Sequence, residues 1–165
     1  MKALLYAGLA LLALGLQITV VPDLALWGIR PDVVLVTVLA VTIRWRDRFV
    51  FVYAAALGVA LDSFTHGVLG VSGISFFAAA VGARLVGGAM YGDNIVSSSI
   101  AVFALSLAEG IVFVTLFRIL DPQVPWGSWT LTRVMPEAFY NALIAPAVFT
   151  GLARLERWTP LPARS

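Results

Sequence analysis

Six apolar stretches, separated by charged or turn-forming residues, constrain the fold of this chain more than any other feature of its sequence. A transmembrane helix needs about 20 mainly apolar residues, and the first, fifth and sixth stretches approach or exceed that length. The stretches are Ala3–Val21, Val33–Ile43, Phe49–Leu61, Val68–Ala83, Ile95–Phe117 and Val134–Ala153. The pattern predicts an all-α polytopic membrane protein, in which a bundle of six transmembrane helices forms a single domain over residues 1–165.

The overall composition supports lipid as the surroundings of these stretches. Of the 165 residues, 61% are hydrophobic and 12% are charged, whereas about a quarter of the residues in a soluble domain are charged. A soluble protein of this size cannot hide that much apolar surface from water. The composition therefore argues against a soluble enzyme.

The second and third stretches are short, with 11 and 13 residues free of charge. Pro31 and Asp32 suit the first turn of a helix, and the side chains of Arg44, Arg46 and Arg48 can reach the headgroups from within the hydrocarbon layer. Two explanations stay open. One is that these helices extend beyond their apolar stretches; the other is that they are inner members of the bundle that contact protein more than lipid. Both can hold together.

The distribution of basic residues predicts the orientation of the bundle. Cytoplasmic segments of membrane proteins are enriched in Lys and Arg, and alternate segments of this chain carry eight on one side and three on the other. We therefore expect both termini and the second and fourth loops in the cytoplasm. Six of the nine acidic residues lie towards the opposite side. The longest loop on that outer side, residues 118–133, contains two Pro and two Trp residues that suit a segment lying on the membrane face.

This orientation can be measured directly with reporter fusions. A fusion within residues 123–128 follows five predicted helices, and a fusion after Ser165 follows six. The two fusions are therefore expected to report opposite sides of the membrane. Labelling of both positions from the same side would contradict the six-helix arrangement.

Three carboxylates, Asp62, Glu109 and Glu137, lie within or beside the apolar stretches, where an ionisable residue is costly and marks a candidate functional site. All three fall towards the predicted outer side, and they could face one outward polar cavity or form a proton site. The alternative is that they cap helices or pair with Arg residues at the interface, which is favoured for Asp62 because it ends its helix. Glu109 has no local cap, so it requires a partner in the bundle or in another chain.

Small and helix-disturbing residues add further candidates. Gly58–Asp62 and Pro31–Asp32 are expected to form a junction of the two short helices, with Gly58 permitting close approach. In the last stretch, Asn141 requires a hydrogen-bond partner and Pro146 leaves a carbonyl unpaired. The fifth stretch has small residues on one face, at Ser97, Ala101, Ala104 and Ala108. That face is expected to lie beside Glu109 and to face protein.

No catalytic, metal-binding or nucleic-acid-binding pattern emerges from the sequence. His66 is the single histidine and cysteine is absent, so the sequence has no ligand set for a zinc site. Ser97, Ser98 and Ser99 have no nearby His or Lys that could activate them. Basic residues are dispersed between apolar runs rather than interleaved with aromatics along a polar surface. We expect no enzyme activity, no cofactor and no nucleic-acid partner.

A set of short motifs, read in chain order, resembles the MreD family of bacterial rod-shape-determining membrane proteins. The motifs are Gln17, Pro31–Asp32, Gly58–Asp62, Gly67–Gly70, and Tyr140–Leu143 followed by Pro146. They cover nearly the whole chain and agree with the family in helix number and loop order. The resemblance implies a non-enzymatic component of the cell-wall elongation machinery in the bacterial inner membrane.

The resemblance also implies partners. The expected partner is the single-pass protein MreC, and the wider complex would include the RodA glycan polymerase, its penicillin-binding transpeptidase and the MreB filament. The family looks similar in fold to the substrate-binding subunits of energy-coupling-factor vitamin transporters, which are six-helix bundles with an outward-facing pocket. Two functions therefore stay open: a scaffold for peptidoglycan synthesis, which is favoured, and a vitamin-binding transporter subunit.

Overall fold

The computed structural model describes residues 2–45, 47–65, 68–86 and 95–158, and these residues form an all-helical structure. The predicted all-α class is therefore confirmed. The long helices are α1 (Lys2–Thr19), α2 (Val33–Arg44), α3 (Phe49–Thr65), α4 (Val71–Val86) and α5 (Ile95–Leu120), followed by the short α6 (Trp126–Trp129) and by α7 (Met135–Trp158). A 3₁₀ turn, Val21–Leu24, follows α1, and a π-helical segment, Thr130–Val134, joins α6 to α7.

Helix α5 and the rod formed by α6, the π-helical segment and α7 are long and apolar enough to cross a membrane. The other four long helices of the described residues are apolar but shorter. The segment predicted as a long outer loop, residues 118–133, is instead largely helical. Residues 121–125 alone separate α5 from α6, because Pro125 precedes the first turn of the rod as its N-cap and α5 continues to Leu120.

Helix α2 is the central helix of the bundle. Every residue from Val34 to Thr42 is buried, so one of the two explanations for its short apolar stretch is confirmed: it contacts protein on all sides. Helix α3 is buried on one side only, because Phe49, Val52 and Val59 are exposed along its other side. Helix α3 extends four residues beyond its apolar stretch, to Thr65.

The start of α4 differs from its predicted position at Val68. Gly70 has a φ angle of +95°, a backbone conformation that interrupts a helix and that glycine adopts without strain. The Asp62 carboxylate accepts hydrogen bonds from the backbone N–H of Gly70 at 2.8 Å and of Ser72 at 3.1 Å. These bonds fix the first turn of α4 at Val71, after the glycine.

The small face of α5 does not have the orientation that the sequence pattern predicted. Ala101 and Glu109 are buried, but Ala104 and Ala108 are exposed, so the predicted stripe does not lie on one protein-facing side. Helix α5 is apolar around most of its circumference, and small residues alone do not determine which side of such a helix is buried.

Candidate functional site

The candidate site is built around the start of α2. Asp32 is the N-cap of this helix, and its Oδ1 accepts a hydrogen bond from the backbone N–H of Leu35 at 2.8 Å. This capping bond satisfies one of the N–H groups that a helix start leaves unpaired. The predicted role of Pro31 and Asp32 as a helix start is confirmed. Both residues are buried, so the start of α2 needs further partners.

Gln17 of α1 supplies two of these partners through a single side-chain amide. Its Nε2 donates to the carbonyl oxygen of Pro31 at 3.2 Å, and its Oε1 accepts from the backbone N–H of Val33 at 2.8 Å. The amide therefore joins the end of α1 to both sides of the Asp32 cap. From the sequence, Gln17 was named only among the motifs of the family resemblance, and no physical role for its side chain was predicted.

Asn141 of α7 supplies the third partner. Its Oδ1 accepts a hydrogen bond from the backbone N–H of Asp32 at 2.7 Å, and its Nδ2 donates to Ser106 Oγ of α5 at 3.3 Å. Asn141 is 1% exposed and Ser106 is 3% exposed. One buried amide thus connects α2, α5 and α7, which explains the polar residue in the last apolar stretch. We call Gln17, Pro31–Val33, Ser106 and Asn141 the polar junction.

Glu109 lies one turn beyond Ser106 on α5 and faces the bundle, as predicted. Its side chain is 8% exposed, and its carboxyl forms a hydrogen bond with the side chain of Ser75 on α4. The Ser75 hydroxyl itself donates to the carbonyl oxygen of Ser72 at 3.1 Å. The partner that Glu109 requires is therefore in the same bundle, and the sequence offered no signal that would have identified Ser75.

Glu109→Gln is expected to leave the folded protein nearly as stable as the original chain, since an amide can also bond with Ser75. Glu109→Leu removes the bond between this carboxyl and Ser75, although the Ser75 hydroxyl keeps its bond to the Ser72 carbonyl oxygen, and the loss of one such bond costs about 0.5–1.5 kcal/mol. Thermal unfolding of the purified variants in detergent measures the difference. Equal losses for the Gln and Leu variants, or no loss for Leu, would contradict the hydrogen-bonding role.

Asp62 and Gly58 belong to a separate contact between α3 and α4. Asp62 is occupied as the cap of α4 described above, which confirms the capping interpretation. A Cβ atom added at Gly58 would collide with the backbone of Ser72 and would lie 2.6 Å from the backbone nitrogen of Gly73. Gly58–Asp62 therefore packs against α4, whereas the start of α2 bonds to α1 and α7. A junction of the two segments with one another stays a prediction.

A partly open cavity of about 410 Å³ lies at the end of the bundle where α1 ends and where α2 and α7 begin. Its lining residues are Gln17, Gly28, Ile29, Arg30, Pro31, Asp32, Arg133 and Glu137. We call this space the polar cavity. Of the three carboxylates expected to share an outward cavity, only Glu137 lines it. Asp32 is the second acidic residue of the lining, and Arg30 and Arg133 are its two basic residues.

Arg133 is held at the edge of the polar cavity by its local structure. It belongs to the π-helical segment, and its guanidinium lies 5.1 Å from the ring centroid of Trp129, within the range of a cation–π contact. A Cβ atom at Gly110 of α5 would collide with Val134, so the glycine permits the π-helical segment to lie close to α5. Sequence reasoning named Arg133 as a basic residue for predicting orientation and as one of three Arg residues that could pair with a carboxylate at the interface.

Pro146 is half-buried in α7 and does not line the polar cavity. The helix continues across it to Trp158, next to Ala145, which is fully buried. Proline removes one backbone donor from the helix, and at this position, near the centre of α7, the preceding residue is buried and the following Ala147 is exposed. Pro146 therefore contributes to helix packing and does not belong to the site.

The chemistry of the site is that of recognition. The polar cavity offers two cationic and two carboxyl side chains, which can pair with groups of either charge. Among the described residues there is no group of three or more His, Cys, Asp or Glu side chains that could hold a metal ion. Gly67, which begins one of the motifs of the family resemblance, His66, which is the single histidine, and the residues beyond Trp158 lie outside the described residues.

Comparison with known proteins identifies the family of the chain. The sequence model for the rod shape-determining protein MreD matches residues 1–152. No curated protein and no solved structure matches the chain significantly. Because the family match includes α1 to α6 and most of α7, with every residue of the polar junction and the polar cavity, this chain belongs to the MreD family.

Proposed function

We propose that this protein is a non-enzymatic scaffold of the bacterial cell-wall elongation complex and that it binds an MreC-type single-pass protein. MreD-family proteins are bacterial membrane proteins that determine rod shape, and the family is not one of enzymes. The proposal includes six transmembrane helices in the inner membrane, with both termini in the cytoplasm. RodA, its transpeptidase and the MreB filament would be indirect partners through the same complex.

The observation that carries the proposal is the charged lining of the polar cavity at a rigid end of the bundle. Small-molecule sites are mainly apolar and aromatic, with a few polar groups. The polar cavity has the volume of such a site, but half of its eight lining residues are charged and none is aromatic. A lining of this kind suits a polypeptide segment with charged side chains better than it suits a vitamin.

The rigidity of this end supports a scaffold role. Gln17 bonds to Pro31 and Val33, and Asn141 bonds to Asp32, through hydrogen bonds of 2.7–3.2 Å that join α1 and α7 to the start of α2. A scaffold presents a preformed surface to its partner, and preformed surfaces bind at a lower entropic cost than mobile ones. The junction would hold Asp32 and the neighbouring Arg30 in place before a partner arrives.

Co-purification from bacterial membranes tests the proposal. The full-length chain, tagged at one terminus and expressed with an MreC-type protein, is expected to retain that protein through detergent extraction. The same preparation examined by native mass spectrometry distinguishes the alternative function. A chain that is recovered without the single-pass protein, and that carries a small vitamin-like molecule instead, would favour the transporter-subunit function and contradict the scaffold.

A further inference from the structure

The connection between α1 and α2 contains an exposed tryptophan. Trp27 is 97% exposed, and its φ angle is +50°. A non-glycine residue in the left-handed region is uncommon, and such positions cluster at functional sites. Leu24 and Leu26 of the same connection are also about half exposed. We call residues 20–29 the Trp27 loop.

The Trp27 loop holds the indole ring in a fixed position. Leu26 and Ile29 exchange two backbone hydrogen bonds, of 3.0 and 2.9 Å, and close a tight turn over Trp27 and Gly28. Both central residues have positive φ angles, as a type I′ turn requires, and asparagine or glycine usually occupies these positions. The Tyr140 hydroxyl donates to the carbonyl oxygen of Leu24 at 2.8 Å and ties the loop to α7.

The apolar surface of the loop continues the exposed apolar surface of α1. Leu12 and Leu16 are exposed on α1, and the exposure continues through Val20 and Leu24 to Trp27. Helix α1 has 18 residues, which corresponds to about 27 Å at ~1.5 Å per residue. This length is close to the hydrocarbon thickness of a bilayer, about 30 Å, so the loop follows at the lipid–water boundary.

The loop also has the polar groups of an interfacial segment. Asp23 and Arg30 are exposed on either side of the tip, where water and headgroups can solvate them. The indole N–H of Trp27 has no hydrogen-bond partner in the described part of the chain. Trp concentrates at membrane interfaces because its ring is apolar and its N–H can bond to polar groups at headgroup level.

We propose that the Trp27 loop is a lipid anchor, with the indole of Trp27 inserted among the phospholipid headgroups and upper acyl chains of the leaflet at which the polar cavity opens. The anchor fixes the depth of the cavity in the membrane, because Gly28, Ile29 and Arg30 belong both to the turn region and to the cavity wall. The proposal rests on membership of a membrane-protein family and does not require the MreC-type partner.

Fluorescence of the full-length chain in phosphatidylcholine nanodiscs tests the anchor. The emission of Trp27 is obtained as the difference between the original chain and Trp27→Phe. It is expected to be blue-shifted, to lose intensity when the lipids carry bromine at upper acyl positions, and to resist quenching by iodide in water. Trp27→Asn, which suits the left-handed turn, checks that removing the ring leaves thermal unfolding unchanged.

The control is Trp45→Phe, which isolates a half-buried ring packed against Tyr6 at a centroid distance of 5.4 Å. Its difference spectrum is expected to respond less to brominated lipid than that of Trp27. A Trp27 signal that is red-shifted and quenched by iodide would overturn the lipid anchor. Shielding of Trp27 only after addition of an MreC-type protein would also overturn it and would assign the loop to a protein contact.

Discussion

Replacing Gly58 by leucine is expected to prevent accumulation of folded protein. The position faces the backbone of α4, and a Cβ atom alone would collide with Ser72. Backbone atoms cannot move aside as a side chain can, so the helices would have to separate. Overpacking usually costs about 1–3 kcal/mol, and we expect a loss of stability at or above the upper end of that range. Yield from membranes and thermal unfolding in detergent measure it.

The matched control for this substitution is Gly15→Leu. Gly15 is also in an apolar helix, but no atom lies within 4 Å of a Cβ built there, and the residue is exposed. The two variants add the same side chain to the same kind of helix. Similar yields and unfolding temperatures for both variants would show that the close approach of α3 and α4 at Gly58 is not required.

Asn141→Leu is expected to be the most damaging change at the polar junction. It removes the acceptor of the buried Asp32 N–H and the donor to Ser106. The leucine that replaces it is apolar and of similar size. Each stranded buried group costs about 1–3 kcal/mol. We therefore expect a large decrease in unfolding temperature and, through displacement of Asp32, weaker retention of an MreC-type protein.

Leu143→Ala provides the comparison for Asn141→Leu. Leu143 lies two residues further along α7 and is 62% exposed. Substitutions at such positions usually change stability by no more than about 0.5 kcal/mol. If Asn141→Leu unfolded at the same temperature as Leu143→Ala, the hydrogen bonds of the junction would contribute little to the fold.

The sequence predicted features that depend on local chemistry. Asp32 as a helix start follows from a carboxylate after proline and before an apolar run, and the structure has this arrangement. Asp62 as a cap was also predicted, but the helix that it caps was not. Its acceptor role depends on Gly70 and Ser72, which come after a turn whose geometry the spacing did not reveal.

Contacts between distant segments could not be derived from the sequence. Asp32 and Asn141 were both candidates, yet they are 109 residues apart in the chain, and no pattern pairs one buried amide with one backbone N–H. Ser75 and Ser106 were missed because a serine in an apolar helix commonly bonds to its own helix backbone. The prediction that the small residues of α5 all lie on its inward side was wrong, because that helix lacks a clear polar face.

Site-specific photocrosslinking at the polar cavity tests the central claim most directly. A photoreactive amino acid at Arg30, which is exposed and lines the cavity, is compared with one at Leu143, which is exposed on α7 and does not line it. In bacteria that contain an MreC-type partner, the scaffold account predicts a covalent adduct with that protein from position 30 and none from position 143. An adduct from position 143 alone, with the complex intact, would contradict the assignment of the polar cavity as the partner site.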